Sequence, residues 1–137
     1  MREMHMTSRN MEVPSLFDSL YIGGGTPSVL EAANIGRIIE TVCRKFQILP
    51  GAEITIEVNP DTVTFKRLKG YKSSGVNRIN IGVQSFQDAN LNFLGRIHSG
   101  KDAELAIKWA RQAGFDNIGL DLIYGIPGQT QKSWLLD

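Results

Sequence analysis

Cysteine is almost absent from the sequence, and this absence limits the chemistry open to the chain. A single cysteine, Cys43, excludes an internal disulfide and any metal site built from several cysteines of this chain. Cys43 falls within an apolar stripe of helical spacing, where a buried thiol behaves as a small hydrophobic side chain. We therefore expect no catalytic or metal-binding role for it.

Long apolar runs and an excess of one charge are lacking as well. No run of about eighteen apolar residues occurs, so we expect no membrane-spanning helix. The 15 basic residues nearly balance the 14 acidic ones, and the resulting net charge of +1 gives no indication of nucleic-acid binding. Residues 1–6 include an acidic residue and no apolar core, so we expect that they are not a secretory signal. The expected location is the cytoplasm, or an organelle if the source is eukaryotic.

Hydrophobic periodicity predicts strands that alternate with helices. Apolar and β-branched runs predict strands at residues 18–22, 53–58, 76–83 and 117–123. Helical spacing predicts helices at residues 30–46, 88–94 and 101–113, another from Thr62 or Thr64 to Tyr71, and a last one from Gln131. This order implies parallel strands joined by right-handed crossovers. An open doubly wound sheet and about four strands of a (β/α) barrel, which takes about 250 residues when complete, both fit it.

Polar residues or bare glycines stand at the carboxyl end of each predicted strand. These residues are 23–26 (Gly-Gly-Gly-Thr) after the first strand, Glu57 and Asp121 among the last residues of the second and fourth strands, and Gln84 directly after the third. Both architectures bring these ends together at one edge of the sheet, where ligands bind, so the pattern favours a binding site over unrelated polar loops. The glycine turn alone is explained equally well as a plain strand-to-helix connection.

The side chains at these positions indicate a class of ligand. The carboxylates of Glu57 and Asp121 suit ribose hydroxyls or an ammonium group, and Gln84 offers both a donor and an acceptor. Arg96 can hold a carboxylate with two hydrogen bonds, although a surface arginine explains its position equally well. No Walker-type spacing or phosphate-binding lysine accompanies the glycines. The inventory predicts a zwitterionic nucleoside rather than a polyphosphate.

Five motifs, in this order, resemble one known family. They are residues 21–28 (YIGGGTPS), 53–60 (EITIEVNP), 81–86 (IGVQSF), 94–98 (LGRIH) and 121–127 (DLIYGIP). They resemble the radical S-adenosylmethionine family of oxygen-independent coproporphyrinogen III oxidases, and within it the HemW-like haem-chaperone branch more closely. The resemblance implies that residues 18–137 are a partial radical SAM core, about four parallel strands of a (β/α)6 barrel, and that residues 1–17 are the remnant of an N-terminal helix and a connector.

The resemblance also implies a role for each candidate residue in binding S-adenosylmethionine. Gly24, Gly25 and Thr26 would meet the methionine amino group. Arg96 would hold the methionine carboxylate, and Gln84 or Asp121 would lie near the ribose. Glu57 would complete the pocket.

The same family holds a four-iron four-sulfur cluster through three cysteines of a C-x-x-x-C-x-x-C loop upstream of the glycine motif. Residues 1–17 contain no cysteine, and Cys43 lies in a different helix. We therefore expect an incomplete chain that has no catalytic or metal-binding residues and, alone, forms no 5′-deoxyadenosine after iron–sulfur reconstitution.

Alternatives for the function of the parent protein stay open. The first is oxidative decarboxylation of a porphyrinogen by a 5′-deoxyadenosyl radical, and the second is a haem-binding chaperone without oxidase activity. The residue at position 98 in Arg96-Ile97-His98 favours the chaperone, although a capping or solvated histidine is the plainer interpretation of His98. The third is an unrelated half-barrel that binds a phosphorylated small molecule at the glycine turn.

Overall fold

Strands and helices alternate along the computed structural model, which describes residues 2–9 and 16–137. The strands are β1 (Leu16–Ile22), β2 (Gln47–Val58), β3 (Arg78–Gln84) and β4 (Asn117–Leu122). The α-helices are α1 (Arg2–Arg9), α2 (Ala32–Lys45), α3 (Phe65–Ser73), α4 (Asp88–Phe93), α5 (Gly100–Gln112) and α6 (Gln131–Trp134). Short 3-10 turns follow β1 and β2, at Pro27–Val29 and Pro60–Thr62.

The four strands form one sheet in which all neighbours are parallel. Their spatial order, β1-β2-β3-β4, is also their order along the chain. A doubly wound sheet reverses direction at a switch point and so places strands out of chain order, whereas a (β/α) barrel adds each strand beside the previous one. The α/β class is confirmed, and the strand order is that of a partial (β/α) barrel, not that of a doubly wound sheet.

The two faces of the sheet differ in chemistry because side chains alternate along each strand. One face carries the fully buried Ile56, Ile79 and Ile81, which join a core with residues of α2, α3 and α5. Burying each such side chain contributes about 1.5–3 kcal/mol relative to leaving it exposed. The opposite face carries polar residues, with Glu57 and Asn80 directly paired across β2 and β3. This polar face is the inner face of the barrel, and it leads to the carboxyl ends of the strands (the strand-end edge).

Strand β2 begins at Gln47, six residues before the predicted start at residue 53. In the sequence, Pro50 and Gly51 indicate an end to regular structure. In the structure they lie within an irregular part of β2, where its register against β1 shifts between Phe17 and Ser19. Pro50 has no N–H to donate, and Gly51 has a φ of 79°, so the strand bulges and then resumes pairing.

The prediction of a buried Cys43 is wrong, because the thiol is exposed. The buried stripe of α2 consists of Ile35, Ile39 and Val42. Position 43 is rotated by about 100° from position 42 around the helix axis and therefore faces solvent. Helix α2 runs from the strand-end edge back to the start of β2, so Cys43, near its last turn, lies toward the opposite edge of the sheet.

The structure describes only part of the predicted N-terminal helix and connector, residues 1–17. Helix α1 occupies Arg2–Arg9, residues 10–15 of the predicted connector lie outside the described residues, and β1 begins at Leu16, two residues before the predicted residue 18. Of the two predicted caps of α3, Thr64 is the N-cap, and its hydroxyl accepts a hydrogen bond from the Arg67 amide. Among the described helices, none is both long and apolar enough to cross a membrane.

Candidate functional site

A cavity of about 220 Å³ lies at the strand-end edge. Six of the seven predicted site residues line it, namely Gly25, Thr26, Glu57, Gln84, Arg96 and Asp121. The seventh, Gly24, does not line the cavity, and its amide donates to Glu57 Oε2 at 3.2 Å. The fold therefore brings together residues that lie as many as 96 positions apart in the chain, from Gly25 to Asp121. We refer to this space as the strand-end cavity.

The glycine turn after β1 adopts a conformation that requires glycine. Gly24 and Gly25 have φ values of 85° and 63°, in the left-handed region that side chains disfavour. Neither has any heavy atom within 4 Å of the place where a Cβ would stand, so their backbone is open to a ligand. Thr26 follows with φ −136° and ψ 81°, and its hydroxyl accepts a hydrogen bond of 3.5 Å from Asn59 Nδ2. The turn is thus built for access to its main chain.

Glu57, at the end of β2, is held on both of its carboxylate oxygens. Tyr21 donates its phenolic O–H to Oε1 at 2.7 Å, and the Gly24 amide donates to Oε2. The hydrogen bond to Glu57 is also the main reason that the pKa of Tyr21 is raised, with burial and the negative charges of Glu57 and Asp121 adding to it. No cation of the described chain forms an ion pair with Glu57. Its charge remains available to an ammonium group.

Gln84, at the end of β3, combines burial with backbone strain. Its φ is 67°, which makes it the one residue other than glycine with a positive φ in the described part of the chain. Such residues cost about 1–3 kcal/mol each and cluster at functional sites. Its side-chain amide forms no hydrogen bond with the described residues, while its carbonyl accepts from the Ile123 amide at 2.9 Å. The backbone is fixed, and the amide is left free at the cavity.

An anchor that the sequence did not indicate stabilises the turn after Gln84. The carboxylate oxygen Oδ1 of Asp137 accepts hydrogen bonds from Ser85 Oγ at 2.5 Å and from the Phe86 amide at 2.6 Å. Asn90 Nδ2 donates to the other oxygen at 3.4 Å. No local motif links residues 52 positions apart, so only the folded chain could reveal this contact.

Arg96 lies in the loop between α4 and α5 and is half-buried. Its guanidinium forms no hydrogen bond or ion pair with the described residues. It borders both the strand-end cavity and an adjoining space of about 370 Å³. A guanidinium in this setting has its donors free for a carboxylate, so the plain surface-arginine interpretation does not describe its position.

Asp121, on β4, is oriented by a neighbour that the sequence analysis missed. Asn80 Nδ2 donates to Asp121 Oδ2 at 2.6 Å. Asn80 is only 9% exposed and lies among apolar residues of β3. An asparagine between two isoleucines of the predicted strand is the one sequence signal that could have indicated it.

His98 is neither solvated nor a helix cap. It is 4% exposed, and its Nε2 lies 3.0 Å from the Val83 carbonyl oxygen. The ring therefore fixes the loop after α4 to strand β3. In the described part of the chain, no three His, Cys, Asp or Glu side chains are grouped so that they could hold a metal ion.

Residues 9–135 match the family model of the radical SAM superfamily. The chain belongs to the radical SAM superfamily. It is 42% identical to the heme chaperone HemW of Haemophilus influenzae over 119 residues. This alignment covers 87% of this chain and 31% of the relative. It is likewise 42% identical to the heme chaperone HemW of Escherichia coli, covering 87% of this chain and 32% of the relative. This radical SAM chain thus spans about a third of the length of the curated relatives it matches.

Among solved structures, this radical SAM chain resembles the coproporphyrinogen III oxidase HemN from Escherichia coli, described as a radical SAM enzyme. The TM-score is 0.78 at 34% identity, over 88% of this chain and 28% of that one. The resemblance to the coproporphyrinogen-oxidase-like family and the partial radical SAM (β/α) fold are both confirmed.

Radical SAM proteins as a family use S-adenosylmethionine together with a four-iron four-sulfur cluster, and the two groups fit this chain differently. The strand-end cavity offers two carboxylates, an unpaired guanidinium and the open main chain of Gly25, which complement a zwitterionic nucleoside. A cluster held by three cysteines does not fit, because the chain has one cysteine and it lies toward the other edge of the sheet. The residues present therefore support binding of the nucleoside alone.

Proposed function

We propose that this chain binds S-adenosylmethionine in the strand-end cavity. The observation that carries the proposal is the unpaired guanidinium of Arg96 beside the same cavity as the carboxylates of Glu57 and Asp121. Arg96 would hold the methionine carboxylate, and Glu57, with the open glycine turn, would meet the amino group. Gln84 and Asp121 would bind the ribose. No lysine lines the described cavity, which counts against a phosphorylated ligand.

Calorimetric titration with S-adenosylhomocysteine, the stable analogue that lacks the transferable methyl group, tests this proposal. A hydrogen bond to a charged group is worth about 1.5–3 kcal/mol, so Arg96→Ala and Asp121→Ala should each weaken binding by about 10- to 100-fold. Arg37→Ala is the matched control, since Arg37 is exposed on α2. Equal affinity of all four proteins, or no saturable binding by the unaltered chain, would overturn the proposal.

For the porphyrin partner, we propose haem, in a chaperone of the HemW type. The support is that the relatives at 36–42% identity include several named heme chaperone HemW. His98 would not be the iron ligand, because it is buried and bonded to the Val83 carbonyl. Haem added to the full-length parent protein should give a saturable change in the Soret absorbance. Coproporphyrinogen III incubated with the same protein should keep all of its carboxylates.

The second candidate is coproporphyrinogen oxidation, which the structural match to HemN favours. In the full-length parent protein, it predicts release of carbon dioxide from coproporphyrinogen III and no saturable binding of haem. Mass spectrometry of the porphyrin after incubation would separate the two candidates, because decarboxylation removes a fixed mass and chaperone binding removes none.

A further inference from the structure

Asn80 and Asp121 form a cross-strand pair, of which Asp121 lines the strand-end cavity. Asn80 lies on β3 directly opposite Gly119 of β4, two residues before Asp121. The 2.6 Å bond from Asn80 Nδ2 occupies the Oδ2 atom of Asp121. The other oxygen, Oδ1, has no partner among the described residues. Asp121 therefore presents one free, charged acceptor to the cavity.

Gly119 makes this arrangement possible by its lack of a side chain. Its φ does not lie in the left-handed region, so the backbone does not require glycine there. A Cβ at this position would overlap Asn80 Oδ1 and stand 3.3 Å from Arg78 Nη2. The Asn80 amide thus fills the space that a side chain at position 119 would need.

The neutral donor also has an electrostatic consequence. No cation forms an ion pair with Asp121 in the described chain, so the charge of its carboxylate is not cancelled. A lysine or arginine at position 80 would compete with a ligand for that charge, whereas an amide fixes the carboxylate without neutralising it.

We propose that Asn80 is a positioning residue for the nucleoside ligand, which acts through Asp121. Rotation of the Asp121 carboxylate is restricted, and Oδ1 accepts a hydrogen bond from a single hydroxyl of the ribose. Asn80 thereby sets the discrimination between a ribonucleoside and an analogue that lacks these hydroxyls. This inference rests on the proposed function, since it assumes that the nucleoside occupies the strand-end cavity.

A double-mutant cycle tests the inference with S-adenosylhomocysteine and its 2′,3′-dideoxy analogue as probes. Asn80→Ala should weaken binding of S-adenosylhomocysteine by about fivefold to tenfold, as expected for one hydrogen bond to a charged group that is partly replaced by water. In the Asp121→Ala background the same change should have no further effect, because Asn80 acts only through Asp121. Affinity for the dideoxy analogue should be unchanged by Asn80→Ala.

Two further variants keep the result interpretable. Gly119→Ala displaces the amide sterically and should reproduce the effect of Asn80→Ala, so the inference stays testable if one variant folds poorly. Asn117→Ala is the matched control, because Asn117 is exposed on β4, the strand of Gly119 and Asp121, and its side chain forms no hydrogen bond with the described residues.

The failures of the two proposals are distinguishable. Absence of binding by the unaltered chain refutes the proposed function. Binding by the unaltered chain with equal losses for both probes, or additive losses in the cycle, shows that Asn80 has only a structural role and refutes the inference.

Discussion

The strained backbone of Gln84 leads to a prediction that separates strain from side-chain chemistry. Both Gln84→Ala and Gln84→Gly remove the side-chain amide, which forms no hydrogen bond with the described chain. Only glycine adopts the observed φ of 67° without a clash between Cβ and the carbonyl oxygen. A direct comparison of the two variants therefore isolates the cost of the backbone conformation.

The expected difference follows from two opposing terms. A side chain in the left-handed region costs about 1–2 kcal/mol. Glycine gives back about 0.4–1 kcal/mol because it adds conformational freedom to the unfolded chain. The glycine variant should therefore be about 1 kcal/mol more stable than the alanine variant. With an unfolding entropy of about 2.1 cal/mol/K per residue, this corresponds to a midpoint about 3–4 °C higher.

Thermal unfolding followed by circular dichroism measures the stability difference, and calorimetry measures the affinity for S-adenosylhomocysteine. Both variants should bind the ligand more weakly than the unaltered chain, by a similar factor, since each lacks the free amide. An alanine variant as stable as the glycine variant would refute the interpretation of Gln84 as strained. Unchanged affinity in both would refute its role at the cavity.

Two other contacts yield predictions of the same kind. Burial raises the pKa of Tyr71 to about 12, above its ordinary value of 10.0, so the neutral phenol stabilises the fold fully below about pH 10, and this contribution is lost as the pH rises through 12. Tyr71→Phe should therefore flatten the fall in unfolding free energy over that range, by about 2–3 kcal/mol, when urea unfolding is measured at successive pH values. Asp137→Ala removes the acceptor of the Ser85 and Phe86 hydrogen bonds, so it should destabilise the chain by about 1–3 kcal/mol and weaken ligand binding through the turn at Gln84. An unchanged urea midpoint together with an unchanged ligand affinity in Asp137→Ala would contradict the anchoring role of Asp137.

The strand ends were predictable from the sequence because two local signals coincide there. Alternating or β-branched apolar runs locate the strands, and parallel pairing brings all their carboxyl ends to one edge. Glu57, Gln84 and Asp121 each stand at the end of such a run, so their convergence required no knowledge of side-chain conformations. The architecture itself needed the strand order, since the alternation of elements fits two folds.

The contacts that orient these residues were not predictable, because they join side chains far apart in the chain. Tyr21 reaches Glu57 over 36 positions, and Asn80 reaches Asp121 over 41. Cys43 shows a different reason why a sequence-based prediction fails. Its neighbours are apolar, but burial in a helix depends on angular position, and the stripe of α2 passes through Val42 instead.

The arrangement of charge in the strand-end cavity supports a prediction about which part of the ligand each side recognises. Glu57 and Asp121 carry carboxylates without a cation partner, and Arg96 carries a guanidinium without an anion partner, in the described chain. Such a set complements a zwitterion. Removal of one charged group from the ligand should therefore weaken binding only through the side chain that meets that group. Decarboxylated S-adenosylmethionine lacks the group proposed to meet Arg96 and keeps the amino group.

The unaltered chain should therefore bind S-adenosylmethionine about 10- to 100-fold more tightly than the decarboxylated compound, which is the worth of one charge-assisted contact. Arg96→Ala should abolish that preference by weakening binding of S-adenosylmethionine alone. Asp121→Ala should weaken binding of both ligands by the same factor and so preserve the ratio of their affinities. Competitive calorimetry with the two ligands gives the affinity ratio of each protein from a single preparation of that protein. A preference that survives in Arg96→Ala would place the methionine carboxylate elsewhere, and a ratio altered by Asp121→Ala would show that the two ends of the cavity do not act independently.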